Sequence, residues 1–413
     1  MRVLWFEVSI PARYLNTRTV IAGWQDALED AVKQYAEVEL YIAFESAMEC
    51  ITKKIEGVTY IPIHTEYSFT EKIKRNFSWF TYAEKLIKVC ISIVEEVKPD
   101  VIHVFGNEWP FGLIAEYTDI PVVIHIQGSI IPYNNAMYPP GYNVDSLIRS
   151  AGFNLREQYR VLKKRFKDKS RLKMEEHVWK AVSHYMGRTA WDRALVNILH
   201  PNATYHHVDE ALRPDFIKTT KRWLLKIHEG KIRLVTIGCS TFWKGVDMML
   251  KTANILKTTG IDFEWNVAGN MNNQLKKTIE HKEGMTFVDN NIRILGFVSP
   301  KELIDLLCDS SMYVHTAYIE NSPNSICEAQ YLGVPVISTM VGGISTLVHN
   351  GSDGMLLPAN DPWQMANAII ELSQDTGRMQ KYSSNGEVIA KERHSPQKIV
   401  GQLMSCYNDL KKN

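Results

Sequence analysis

Short, unbroken apolar runs alternate with longer segments of mixed polarity along this chain. The first run is RVLWFEVSI, residues 2–10, and GWQDALEDAVKQY follows with Trp24, Leu28 and Tyr35 near helical spacing. VELYIAF, TYIPI, DVIHVF and PVVIHIQG come next, each bounded by a longer polar-apolar segment. Continuous β-branched runs fit strands covered on both faces, and alternation with helices predicts a parallel, doubly wound sheet. The pattern restarts after about residue 218 with IRLVTIG, FEWNVAG, NIRILGF, MYVHTA and PVIST. The expected fold class is therefore α/β, with two facing Rossmann-like doubly wound domains. The expected division is 1–217, then 218–392, with KTTKRWLLKIHEGK at the junction. Residues 393–413 read as a terminal amphipathic helix with Ile399, Leu403, Cys406 and Leu410 on one side, packing back on the first domain.

Open α/β sheets bind ligands beyond the carboxyl ends of their strands. Two such domains suit a transfer reaction, or a ligand-trapping protein that does no chemistry. The stretch HTAYIENSPNSICEAQYLGVPVIST, residues 315–339, carries the most specific signal. A strand runs out at Tyr318, Ser322 is placed to cap a helix, and Pro323 suits the first helical position. Asn324, Ser325 and Ile326 would then offer backbone N–H groups to an anion. Glu320 precedes the helix and Glu328 lies more than a turn inside it. Carboxylates on either side of an anion site accept hydrogen bonds from sugar hydroxyls, so the pattern fits a ligand with sugar, diphosphate and ribose in series. Spacing alone leaves two other readings open: Ser325 and Glu328 as a capping box, and Glu320 as a solvated loop residue.

This stretch resembles the Glu-seven-Glu signature of glycosyltransferase family 4, retaining enzymes of the GT-B fold. PDVIHVFG and PVVIHIQG resemble that family in the first half, and TIGCSTFWKGVDMML, NIRILGFVSPKELIDLL and VGGISTLVHNGSDGMLLPANDP do so in the second. The resemblance implies that Glu328 binds the nucleotide ribose and Glu320 the donor sugar. It implies that the backbone of Asn324, Ser325 and Ile326 meets the distal phosphate and sugar. Lys244 would pair with the diphosphate, where a fixed cation stabilises a leaving anion. Gly238 would let the loop backbone approach the ligand, and Gly342-Gly343 would do likewise or make a turn. The chain also departs from the family. Cys239 stands where an arginine is usual, Thr346 replaces a glutamate, and the first loop has only Gly23. Gln127 stands where a histidine is common and is assigned to the donor site, while His125 reads as a structural strand histidine. The missing arginine calls for another cation: Arg188 in HYMGRTAWD is the candidate and Arg213 the second choice.

Composition removes other classes. The formal charge is +1, which gives no field for nucleic acid. No apolar run reaches membrane-spanning length, and the N-terminal run lacks a basic leader and a cleavage site. The six cysteines form no CxxC, so a cytoplasmic location is expected. No Asp-x-Asp and no G-x-S-x-G occurs, so metal-independent transfer is expected, with no cofactor and a UDP- or GDP-linked sugar as donor substrate. The acceptor, a saccharide or lipid-linked saccharide, is assigned to the first domain near Asn107, Glu108 and Trp109. LKKRFKDKSRLK, residues 162–173, and EKIKRNFSWFTY, residues 71–82, combine bases with apolar side chains. They read as solvated faces or as a peripheral contact with the inner face of an anionic membrane. A sugar-nucleotide epimerase, a two-domain binding protein and an inactive homologue are the alternatives.

Overall fold

The first strand, β1 (Arg2–Glu7), shows how one sheet feeds two cores. Leu4 and Phe6 enter one apolar cluster, while Val3 and Trp5 enter another on the opposite face. This is the two-residue period of a strand buried on both sides. The computed structural model describes residues 1–15, 23–47, 50–75, 78–152, 154–225 and 230–412. Residues 16–22 of the first loop and 226–229 of the junction lie outside them.

The remaining strands of the first sheet are β2 (Glu39–Glu45), β3 (Lys53–Ile55), β4 (Val58–Ile63), β5 (Val101–Phe105), β6 (Val122–His125), β7 (His184–Gly187) and β8 (Thr204–His207). Their order is β3-β4-β2-β1-β5-β6-β7-β8, parallel except for the β3–β4 hairpin. The second sheet holds β9 (Ile232–Ile237), β10 (Phe263–Ala268), β11 (Ile292–Gly296), β12 (Met312–His315), β13 (Val336–Thr339) and β14 (Met355–Leu357). Its order is β11-β10-β9-β12-β13-β14, parallel throughout. Both are Rossmann-like, doubly wound sheets, as the apolar runs predict.

The chain divides into two units. Unit 1 comprises Met1–Pro132, Leu162–Arg213 and His394–Asn413; unit 2 comprises Tyr133–Val161 and Pro214–Arg393. Residues 133–161 thus belong with the second sheet, whereas the sequence reading kept 1–217 together. In unit 1 the helices Trp79–Val97 and Leu155–Ala181 supply one core, with Leu86, Cys90, Val178 and Trp179 buried. The helices Trp24–Tyr35 and Pro396–Lys412 supply the other. The last helix buries Ile399, Val400, Leu403, Cys406, Tyr407 and Leu410.

Tyr407 ties that helix to the sheet. Its hydroxyl accepts the Trp5 Nε1–H at 3.0 Å and shares a hydrogen bond with His103 Nδ1 at 2.6 Å, all three residues being buried. Burial drives His103 down to about 3, so the ring is neutral. Tyr407→Phe keeps the ring and strands two buried partners. It should destabilise unit 1 by about 1–3 kcal/mol, measured as a lower denaturation midpoint for the wild-type and variant pair.

Candidate functional site

In the second sheet β9 and β12 are neighbours, yet the chain leaves them toward opposite edges, to β10 and to β13. Such a switch point opens a crevice at the carboxyl ends of the two strands. The loop after β9 carries Gly238, then a single 3-10 turn, Phe242–Lys244. The loop after β12 runs from Thr316 to Pro323. Glycines let these two loops, and the loop after β13, pack against one another. Gly245 has φ +68°, and a Cβ there would lie 1.7 Å from the Thr316 carbonyl oxygen. Gly342 has φ +52°, and its Cβ would lie 1.9 Å from the Glu320 carbonyl oxygen. Neither position admits a side chain.

Hydrogen bonds complete the contact. Thr316 Oγ1 donates to the Lys244 carbonyl at 3.0 Å and the Tyr318 N–H to the Trp243 carbonyl at 2.7 Å. The Gly343 N–H donates to the Glu320 carbonyl at 2.9 Å. Held so, Lys244 Nζ pairs with Glu320 Oε1. Gly238, with φ +92°, lies beside the lysine stem, its Cβ position 3.7 Å from Lys244 Cε.

The helix Asn324–Tyr331 begins one residue later than the sequence suggests. Pro323 is the N-cap, and its carbonyl accepts the Ile326 N–H at 3.0 Å. Ser322 is therefore not the cap, and the Ile326 N–H is already engaged by the first turn. Ser325 lies inside the helix and its hydroxyl bonds to Tyr313, so the capping box that would have tied Glu328 to the helix backbone does not form. Glu328 is 1% exposed on the helix flank. Tyr313 also bonds His315 Nδ1 at 3.1 Å. Burial, then the charge of Lys244, drives His315 down to about 3, leaving it neutral. Tyr313 and His315 went unnoticed in the sequence because both sit within an apolar strand. Cys239 is fully buried, and its thiol donates to the Gly269 carbonyl at 3.2 Å. Burial pushes the thiol up to about 11. The position where an arginine was expected therefore faces inward.

Gly238, Lys244, Glu320, Asn324, Ser325, Ile326 and Glu328 thus flank one switch point in unit 2. Arg188 and Gln127 belong to unit 1. Arg188 is buried, with Nε 3.1 Å from Glu210 Oε2 and its guanidinium 5.0 Å from the Trp24 ring centre. Glu210 thus sits beside the guanidinium within unit 1, while Arg188 Nη1 is buried without a hydrogen-bond partner. Arg213 is half-buried at the end of Leu162–Arg213. His125 is buried against Trp24 and His103, at ring separations of 4.9 and 5.4 Å, as a structural histidine. Among the described residues no three or more His, Cys, Asp or Glu side chains are grouped to hold a metal ion.

Unit 1 has its own switch point, between β1 and β5. Gly106 ends β5 with φ +85°, and a Cβ there would meet Glu108 Oε2 at 2.5 Å and Gln127 Cδ at 3.7 Å. Burial raises Glu108 to about 7 against the pull of Arg171 and Arg188. Glu175, from the helix Leu155–Ala181, accepts the Ile130 and Ile131 N–H groups at 2.9 and 2.8 Å and the amide of Asn107. It too is raised to about 7, first by burial and with a contribution from Glu108. Arg171 stacks over Trp79 and Trp109 at 4.6 and 5.5 Å. Glu175 and Arg171 were hidden in the sequence by the basic run beside them.

The raised Glu108 has a consequence for stability. In the unfolded chain this carboxyl ionises near 4.5, whereas folded it keeps its proton to about 7. The folded form therefore loses relative stability as pH rises between those values. Glu108→Gln should melt higher than wild type at pH 8, and the difference should shrink as pH falls and vanish only below pH 4.5. Thermal melts of both proteins across that range test it; a pH-independent difference contradicts it.

Residues 217–388 match the family model described as glycosyl transferases group 1. Among curated proteins, a putative colanic acid biosynthesis glycosyltransferase, WcaL of Salmonella typhimurium, is 26% identical over 35% of this chain and 36% of its own length. The capsular polysaccharide biosynthesis glycosyltransferase CapM of Staphylococcus aureus is 26% identical over 41% of this chain and 44% of its own. The matches therefore span less than half of these relatives. Solved structures extend the likeness to the whole chain. Sucrose-phosphate synthase from Thermosynechococcus elongatus superposes with a TM-score of 0.72 at 13% identity, covering 99% of this chain and 98% of that one. HepE from Anabaena, in complex with UDP and glucose, gives 0.63 at 14% identity, covering 99% of both. The fold is that of GT-B glycosyltransferases, and residues 217–388, which include Lys244, Glu320 and Glu328, carry the group 1 sequence pattern.

Proposed function

We propose that this chain is a retaining, metal-independent glycosyltransferase of the family 4 type, transferring a sugar from a nucleotide-sugar to a saccharide or lipid-linked saccharide. One observation carries the reading: the Lys244–Glu320 pair at the unit 2 switch point, with Glu328 buried on the following helix. In this reading Lys244 exchanges Glu320 for the donor diphosphate, Glu320 accepts from the sugar hydroxyls, and Glu328 accepts from the ribose. The backbone of Asn324 and Ser325 and the loop at Gly238 approach the phosphates. The acceptor oxygen bonds to the anomeric carbon as its bond to the phosphate oxygen breaks. The acceptor proton passes to the departing phosphate, whose charge Lys244 stabilises.

The donor is a UDP- or GDP-linked sugar; UDP in the HepE structures makes uridine the first base to test. Acceptor recognition is assigned to unit 1, near Asn107, Glu108 and Trp109. The relatives' names favour an acceptor in polysaccharide assembly. Among the described residues no helix is long and apolar enough to cross a membrane. Exposed Phe69, Ile73 and Phe80, and exposed Leu162 and Phe166 on a lysine-rich helix, support a peripheral contact at the inner membrane face.

Thermal shift with UDP, GDP and their sugar conjugates is the direct test, because a ligand bound only by the folded state raises the melting temperature. A rise with one base and none with the other supports the reading; no rise with any sinks it. Glu328→Ala should weaken binding of the bare nucleoside diphosphate by about 1.5–3 kcal/mol, read by calorimetry. Unchanged affinity would remove Glu328 from the ribose site. Turnover should also survive EDTA; loss restored by magnesium or manganese would contradict the metal-free mechanism.

A further inference from the structure

Both members of the Lys244–Glu320 pair have a chain neighbour that touches the same tyrosine. The Asn321 N–H, next to Glu320, donates to the Tyr133 hydroxyl at 3.2 Å. The Trp243 ring, next to Lys244, meets the Tyr133 ring edge-on, with centroids 5.9 Å apart at 84°. Tyr133 begins the segment Tyr133–Val161, which arrives from the first half of the chain but belongs to unit 2. The segment is anchored independently farther along. Tyr138 and Tyr142 pack on Phe242 at 5.7 and 5.5 Å. The Tyr142 hydroxyl donates to Glu283 at 2.5 Å, and Glu283 also pairs with Lys251 at 3.2 Å. Ser150 and Thr278 share a hydrogen bond at 2.6 Å.

We propose that Tyr133 is a positioning residue of the donor site, setting the approach of the Glu320 loop to Lys244 through Asn321 on one side and Trp243 on the other. The inference rests on the glycosyltransferase reading. Its two contacts act on different parts of the donor. The hydroxyl fixes the peptide after Glu320 and so the carboxylate that meets the sugar. The ring braces the turn that carries Lys244 and so the cation that meets the diphosphate. The anchors at Tyr142 and Ser150 hold the segment in place when the hydroxyl alone is removed.

The experiment compares wild type, Tyr133→Phe, Tyr133→Ala and Tyr142→Phe. Calorimetry gives the affinity for UDP and GDP, and the release of nucleoside diphosphate from UDP-glucose and GDP-mannose gives turnover. Tyr133→Phe should lower kcat about tenfold, the worth of one hydrogen bond of about 1.4 kcal/mol. Its affinity for the bare nucleoside diphosphate should stay within twofold and its melting temperature should not move. Tyr133→Ala should lose affinity as well as turnover. Tyr142→Phe should lower the melting temperature and keep wild-type kcat. Wild-type turnover in Tyr133→Phe overturns the inference, as does a loss that merely follows melting temperature across the variants. Wild type that binds neither UDP nor GDP overturns the underlying reading instead.

Discussion

A lysine and a glutamate meeting at the tips of two adjacent strands constrain most of what unit 2 can do. Lys244 retains 24% side-chain exposure and Glu320 only 8%, so the pair is largely shielded from water. A charge in such a place needs a partner, and removing one member leaves the other poorly solvated. The surrounding architecture keeps the partners close. Gly245 removes the side chain that would separate the two loops, Gly342 lets the loop after β13 close on the Glu320 carbonyl, and Thr316 fixes the lysine's own carbonyl. In the proposed reading, an anion that replaces Glu320 would satisfy the lysine and free a carboxylate for a neutral hydroxyl-bearing group.

Parallel sheets explain why that pair lies where it does. With β9 and β12 adjacent and their connections diverging, the loops after these two strands border the crevice. The same logic in unit 1 selects the loops after β1 and β5. There the chemistry is different, since burial raises Glu108 and Glu175 to about 7 and Arg188 lies beside Glu210. Unit 2 pairs a lysine with a glutamate, whereas unit 1 holds buried carboxyls raised to about 7.

Much of this was legible from residue order. Ten strands lie where the apolar runs placed them, because most are buried on one or both faces along their length. The missed strands are β3, β7, β8 and β14, each of three or four residues, too short to stand out as a run. The loop residues Lys244 and Glu320 were found through a motif, and their mutual pairing was not. Pairing depends on glycines whose role, allowing two loops to touch, is invisible until both loops are placed. The Arg188–Glu210 pair was likewise not foreseen, because the two residues lie on separate elements of the chain. Cys239 looked like a lost cation, yet its inward orientation comes from the turn at Gly238 and the carbonyl of Gly269. Tyr133 carried no signal at all, because nothing local joins it to the second sheet.

The exchange at Lys244 is the centre of the account, and one titration reaches it most directly. Calorimetry of the bare nucleoside diphosphate into wild type and Glu320→Gln compares a lysine that must leave its carboxylate with one already released. The account predicts tighter binding to Glu320→Gln, roughly three- to tenfold, or about 0.7–1.4 kcal/mol, because the competing anion is gone. Weaker or unchanged binding would show that Lys244 does not trade Glu320 for the diphosphate.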